Sequence, residues 1–247
     1  MNNRLADLHC HILPHMDDGA ENTAMAMEML MCQLKNGVDQ VALTPHFLPW
    51  QENAEHFARR RQKAYLHLEQ AIREERLPID IKLGAEIYYT PDIAERSLSY
   101  LALEGTRYLL IELSTEDCPE GIEETIIRLC RRGYRPIIAH VERYPYVIRN
   151  PILLYQWVKL GALAQINGSC LIRGGSLALK VESLLKCHLI HLLCSDAHSM
   201  EWRRPNLREA YSYLAPAAAQ WFSHNAKSVF RGRELSLPEP IVPKVTV

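Results

Sequence analysis

Apolar and polar positions along this chain alternate between two periods. Leu5, Ala6 and Leu8 read as the end of a short buried strand, and polar residues begin where it stops. Met27, Leu30, Met31 and Leu34 then recur at helical spacing, predicting a helix over 22–36 closed by Gly37. A second strand over 40–44 ends in Pro45-His46, and a long polar helix over 52–75 keeps Tyr65, Leu68 and Ile72 on one face. Strand 79–83 runs into Gly84-Ala85-Glu86-Ile87-Tyr88, and strand 108–113 carries Glu112 near its end. A helix over 120–132 turns Ile122, Ile126 and Leu129 inward and stops at Gly133. Strand 136–139 ends at His140, with Glu142 and Arg143 just beyond. Leu154, Trp157 and Val158 mark a helix closed by Gly161, strand 163–166 ends at Asn167, and a helix follows over 176–186. Strand 189–194 ends in Ser195-Asp196-Ala197-His198, and helical segments fill 205–230.

Strand and helix thus alternate about seven times with no linker between them, which calls for parallel strands joined by helical crossovers. The expected division is one catalytic barrel over residues 1–235 and an extended, peripheral Pro-containing tail over 236–247.

The candidate metal ligands fall at the carboxyl ends of these strands: His9 and His11, His46, Glu86, Glu112, His140, and Asp196 with His198. In a (β/α) barrel those ends converge on one face, whereas a doubly wound sheet does not bring all of them together. The pattern predicts an α/β fold, an irregular (β/α)7 barrel. His9 and His11, two residues apart, share a strand face, and Cys10 alternates away from them. With Asp18 added, the set offers only imidazoles and carboxylates, too many for a single ion. It suits two or three borderline-to-hard cations (manganese, iron, zinc or magnesium) sharing a bridging carboxylate. Closely spaced ions of this kind lower the pKa of a bridging water and neutralise phosphate oxygens. Arg143 and Arg203 lie just past ligand positions, where a guanidinium fork matches phosphate. His15 reads as a loop residue on the rim. His56, His67, His188 and His224 read as surface residues, and His191 as a hydrogen-bonded core group.

Bulk composition narrows the partners. At 247 residues and 48% hydrophobic, the chain can bury one large core. A formal net charge of −1 gives no electrostatic case for nucleic acid or an anionic membrane. The seven scattered cysteines contain no C-x-x-C and read as reduced thiols. There is no apolar leader and no membrane-length run, so a soluble cytoplasmic protein without membrane insertion is expected.

Five stretches taken in order, Asp7-x-His9-x-His11 with Asp17-Asp18-Gly19, Thr44-Pro-His46, Gly84-Ala-Glu-Ile-Tyr88, Ile138-Ala-His-Val-Glu-Arg-Tyr144 and Ser195-Asp-x-His198, resemble the PHP (polymerase and histidinol phosphatase) superfamily. Within it they are similar to the bacterial manganese-dependent protein-tyrosine phosphatases of the CpsB/CapC type. The resemblance implies a trinuclear metal centre. One ion takes His9, His11, Glu86 and Asp196; a second shares Glu86 and adds Glu112 and His140; a third uses Asp18, His46 and His198. It assigns Arg143 and Arg203 to phosphate binding and transition-state stabilisation. It also implies direct attack of a metal-bridging hydroxide on phosphotyrosine, carried by the tail of a bacterial tyrosine kinase in capsule or exopolysaccharide regulation. A homo-oligomer is compatible with this. His15 and Cys10 stand where related sequences often carry glycine and serine. The competing expectations are a small-molecule phosphatase of the histidinol-phosphate kind on the same centre, and a non-catalytic metal-containing binding module. Structural metal sites are usually closed four-ligand sites, which counts against the second.

Overall fold

The computed structural model describes residues 4–244. The first three residues, and the last three of the expected tail, lie outside them. In chain order the elements are β1 (Leu5–Cys10), α1 (Thr23–Lys35), β2 (Val38–Leu43), β3 (His46–Phe47), α2 (Ala54–Glu74), β4 (Asp80–Leu83), β5 (Glu86–Tyr88), β6 (Tyr108–Glu112), α3 (Ile122–Arg131), β7 (Arg135–Ile138), α4 (Pro145–Arg149), α5 (Ile152–Lys159), β8 (Leu163–Asn167), α6 (Gly168–Arg173), α7 (Gly175–Lys186), β9 (Leu192–Cys194), α8 (Leu207–Ser212) and α9 (Pro216–Phe230).

All strand pairs are parallel. β1-β2-β4 form one ladder and β3-β5-β6-β7-β8-β9 another. Two expected strands are each broken in two. Pro45 has no N–H to give a ladder, so β2 and β3 are halves of one path. β4 and β5 are likewise separated at Gly84-Ala85, where hydrogen bonds from Gly84 N to Leu43 O and from Glu86 N to Pro45 O keep the path in register. The seven expected strand positions therefore hold. The ring closes where Cys10 bridges Ala197, with His11 N donating to Ala197 O at 2.8 Å and Asp196 N to His9 O at 2.9 Å.

Side-chain alternation divides the core. Ala6, Leu8, Ala42, Tyr108, Leu110, Ile137, Leu163 and Leu192 fill the barrel, and the last turn of α9 plugs it with Ala226, Val229 and Phe230. Leu109, Ile111, Ile138, Ala164, Ile166 and Leu193 face the helices. Helix boundaries follow side-chain caps, with Asn22 Oδ1 accepting from Met25 N and Asn53 Oδ1 from His56 N.

Several expectations need correction. The last strand begins at Leu192 rather than at 189, whereas the helical segments expected over 205–230 are α8 and α9. His188 is half-buried, its ring bonded to the Glu239 carbonyl. The tail is extended but anchored: Ile241 N donates to Cys187 O, and Leu235 and Leu237 pack on the core. All seven cysteines are free thiols.

His191 is a core group as expected, its Nδ1 accepting from Ala164 N at 3.0 Å. Burial first, then the charge of Arg135, pushes its pKa down to about 3, so the folded ring stays neutral. The unfolded ring titrates near 6.5, so its contribution to stability is present above that pH and is lost as pH falls. Relative to a His191→Gln variant, the wild type is expected to lose about 2 kcal/mol between pH 7 and pH 5, measured by urea unfolding.

Candidate metal centre

Barrel alternation delivers four of the nine candidate ligands directly. Glu112 continues the inward row of Tyr108 and Leu110 on β6, Asp196 continues Leu192 and Cys194, and His46 and Glu86 follow Ala42 and Gly84. His9, His11 and His140 break the rule and need backbone irregularities, and Asp18 comes from the loop after β1. On β1, Asp7 points away from the barrel to Gln33 of α1 at 2.6 Å, so simple alternation would send His9 outward as well. A register shift between Asp7 and Cys10 turns His9 and His11 inward. On β7, Ile137 and Ala139 face inward, and His140 joins them by adopting φ 28°, ψ 57°. Asp196 also has a left-handed φ of 52°. Such conformations cost roughly 1–3 kcal/mol each in non-glycine residues, so the surrounding structure must hold them in place.

The nine expected ligands lie in one cluster. Nε2 of His9 and Nε2 of His11 are 3.2 Å apart, and Glu86 Oε2 is 3.1 Å from each. Asp196 Oδ1 lies 3.3 Å and 3.5 Å from the same two nitrogens. The same Glu86 oxygen is 3.2 Å from His46 Nδ1, and its other oxygen is 2.8 Å from His140 Nε2. Glu112 approaches both His46, at 3.5 Å, and His140, at 3.6 Å. Asp18 Oδ1 faces His198 at 3.5 Å and His46 at 3.6 Å. Ligand atoms gather as three overlapping groups: His9, His11, Glu86 and Asp196; His46, Glu86 and Glu112; and His11, Asp18, His46 and His198. His46 thus sits between the second and third groups, and His140 reaches the second through Glu86.

The electrostatics fit cations. Burial pushes the Glu112 carboxyl up to about 8, reinforced by the Glu86 charge. Burial also opposes charge on His9, yet Glu86 and Asp196 hold its pKa above the ordinary value; Asp17 does the same for His11. The His198 imidazole beside Asp18 holds that carboxyl well below its usual range. Asp196 Oδ1, His46 Nδ1 and His198 Nε2 are buried without a hydrogen-bond partner, which is costly unless an ion occupies the lone pairs. Without an ion, Glu112, His9 and His11 hold their protons, and a divalent cation binding to this N/O set would displace them.

Around the ligands is a hydrogen-bonded shell in which the sequence pattern named Asp17 and Asn167 without this role and did not single out Gln165. Asp17 Oδ2 accepts from His11 Nδ1 at 2.7 Å and from His46 N at 2.8 Å. Gly19 lets this loop close on His11: a Cβ there would stand 2.0 Å from the His11 carbonyl oxygen. Gln165 Oε1 accepts from His140 N at 2.8 Å and lies 3.2 Å from His9 Nδ1. Its amide donates to Asn167 Oδ1, and Asn167 Nδ2 donates to Asp196 Oδ2 at 2.6 Å. Gln165-x-Asn167 has the same two-residue spacing at a strand end as His9-x-His11, and that was its available signal. A carboxylate on the far nitrogen of a ligating imidazole fixes its tautomer and orientation. Asp17→Asn is therefore expected to weaken metal binding about 10- to 100-fold while the fold persists, as read by metal titration.

Arg203 Nη2 bonds Asp196 Oδ2, and Arg143 Nη1 lies 3.7 Å from the same oxygen. The loop after β9 places Arg203, since its carbonyl accepts from His198 N at 2.8 Å. His15, in contrast, is exposed on the rim with φ 59°.

The family model for capsular polysaccharide synthesis, CpsB/CapC, matches residues 5–231. The chain belongs to the CpsB/CapC family. The tyrosine-protein phosphatase YwqE of Bacillus subtilis is 36% identical over 216 residues, covering 85% of this chain and 84% of that one. Among solved structures, one from the set of YwqE from Bacillus subtilis and CpsB from Streptococcus pneumoniae, metal-dependent tyrosine phosphatases, matches with a TM-score of 0.89. It is 30% identical and covers 97% of this chain and all of that chain. A phosphotriesterase homology protein from Escherichia coli, at 14% identity, has a TM-score of 0.55 and covers 94% of this chain and 99% of its own. It shares the barrel fold with this CpsB/CapC member. No helix among the described residues is long and apolar enough to cross a membrane.

Proposed function

We propose that this CpsB/CapC protein is a metal-dependent protein-tyrosine phosphatase. The observation that carries the reading is the meeting of two guanidinium groups with a cluster of buried imidazoles and carboxylates at Asp196. The proposed holders of the ions are His9, His11, Glu86 and Asp196; Glu86, Glu112 and His140; and Asp18, His46 and His198. Manganese is the proposed occupant on the resemblance to manganese-dependent phosphatases, while the all-nitrogen-and-oxygen donor set would also suit iron, zinc or magnesium. When bound, the ions supply a water of lowered pKa and neutralise charge on phosphate oxygens. Arg143 and Arg203 hold the phosphate from the solvent side, presenting donors where charge grows in the transition state. Asn167 and Arg203 together fix the Asp196 carboxylate, and Asp17 and Gln165 fix the rings of His11 and His9. A tyrosine phenol ordinarily titrates near pH ~10, so the leaving phenolate needs little help from a strong acid.

In this reading residues 1–235 are one catalytic unit and 236–247 an appended tail. The substrate is a phosphotyrosyl protein of capsule or exopolysaccharide synthesis, most simply the tail of a tyrosine kinase, and the free thiols suit a cytoplasmic setting. Purified protein loaded with Mn²⁺ is expected to release phosphate from a phosphotyrosyl peptide, to stop when chelated, and to recover on adding the metal back. A higher kcat/KM for histidinol phosphate than for the peptide would instead assign the centre to small molecules.

A further inference from the structure

Beyond Asp196 the site opens into a cleft of about 500 Å³, within the roughly 300–1,000 Å³ of ligand pockets. Its inner end is the proposed phosphate seat, between Arg143, Arg203 and Asp196. Its outer end has other residues that the phosphatase reading leaves unused. Arg173, the last residue of α6, is exposed, and its side chain makes no ion pair or hydrogen bond among the described residues. Trp202 is 68% exposed, with the Arg203 guanidinium 5.5 Å from the centre of its ring. Gly174, next to Arg173, has open space where a side chain would stand. The acidic groups lining the cleft are both inside and engaged. Asp196 is held by Arg203 and Asn167, and Glu142 Oε1 accepts from Asn167 N. The outer half therefore presents an unpaired cation and a largely exposed indole to whatever follows the phosphate out of the centre.

We propose that this outer half is a peptide subsite selecting phosphotyrosine flanked by acidic residues, with Arg173 pairing a flanking carboxylate and Trp202 covering the phenyl ring and adjoining backbone. The inference rests on the phosphatase reading for the place of the phosphate. Arg173 offers a planar fork that a carboxylate can engage through two hydrogen bonds, and an exposed tryptophan face supplies contact area at little entropic cost. Because Arg173 is open to solvent, its pairing is modest and salt-sensitive.

The test is fluorescence anisotropy of two labelled peptides on the Mn²⁺-loaded full chain, each with a non-hydrolysable difluoromethylphosphonate analogue in place of the phosphotyrosine, since the loaded protein is expected to cleave the phosphate itself. One has aspartate and glutamate around the analogue, and the other has asparagine and glutamine in their place. The wild type is expected to bind the acidic peptide about 5-fold more tightly at low salt, with the ratio shrinking as salt rises. Arg173→Glu should bring the ratio to one or below, and Arg173→Lys should keep most of it, which a merely structural role would not produce. Trp202→Ala should weaken both peptides at least about 5-fold while preserving the ratio. Equal wild-type affinities, or an unchanged ratio in Arg173→Glu, would overturn the subsite. Hydrolysis of free phosphotyrosine by the wild type is measured in parallel. Its absence would count against the phosphatase reading, while an acid preference that Arg173→Glu abolishes would still uphold the subsite.

Discussion

Asp196→Asn is expected to lower kcat/KM for a phosphotyrosyl peptide by about 10³-fold or more, equivalent to about 4 kcal/mol of transition-state stabilisation. Asp196 is where the two halves of the proposed machinery meet. Its Oδ1 faces His9 and His11, and its Oδ2 receives Asn167 and Arg203. Asparagine is the informative replacement, because residue 196 has a φ of 52° and asparagine tolerates the left-handed region better than alanine. The backbone bonds that close the barrel there, Asp196 N to His9 O and His11 N to Ala197 O, do not involve the side chain. The variant should therefore fold, bind less metal by elemental analysis, and lose turnover together with that metal. An Asp196→Asn protein with full metal content and full activity would remove Asp196 from the centre.

The same residue shows what the sequence could and could not disclose. Asp196, Glu112, Glu86 and His46 sit on the inward row of their strands, so hydrophobic alternation together with strand ends located them without a structure. His9 and His140 lie against that alternation. Their inward aim depends on a register shift in β1 and on a positive φ after β7, which a single sequence does not reveal. Position by motif found them where periodicity alone would have turned them out. The barrel was legible for a related reason. Its parallel strands are short apolar runs separated by helices, and breaks such as Thr44-Pro45 interrupt the hydrogen-bond ladder without changing the path of the chain. The supporting shell was less legible. Asp17, Gln165 and Asn167 are common polar types, and only the packing of the loop after β1 and of β8 around the closed ring makes them partners of His11, His9 and Asp196. The near approach of His46 to both Glu112 and Asp18 is likewise a property of the closed ring rather than of any local spacing.

Replacing either arginine is expected to separate metal binding from turnover. Arg203→Ala should reduce kcat about 10²- to 10³-fold, the usual effect of deleting one donor aimed at developing oxyanion charge. Arg143→Ala should act in the same direction. Neither guanidinium is placed to hold a cation, since both are positive and both approach Asp196 from the cleft side. Metal content should therefore stay near the wild-type value in both variants. The two differ in what else they disturb. Arg203 directly neutralises the outer oxygen of Asp196 and is less exposed, with 22% of its side chain accessible against 43% for Arg143. Its loss leaves that carboxylate oxygen to Asn167 and the more distant Arg143, so Arg203→Ala should show the larger fall. Lysine at 203 restores the charge without the fork and should recover only part of the loss. Measuring kcat and bound metal on the same preparations decides the matter. A fall in activity that merely tracks a fall in metal would make the arginines structural supports of the ligand cluster, whereas a fall at constant metal places them on the phosphate.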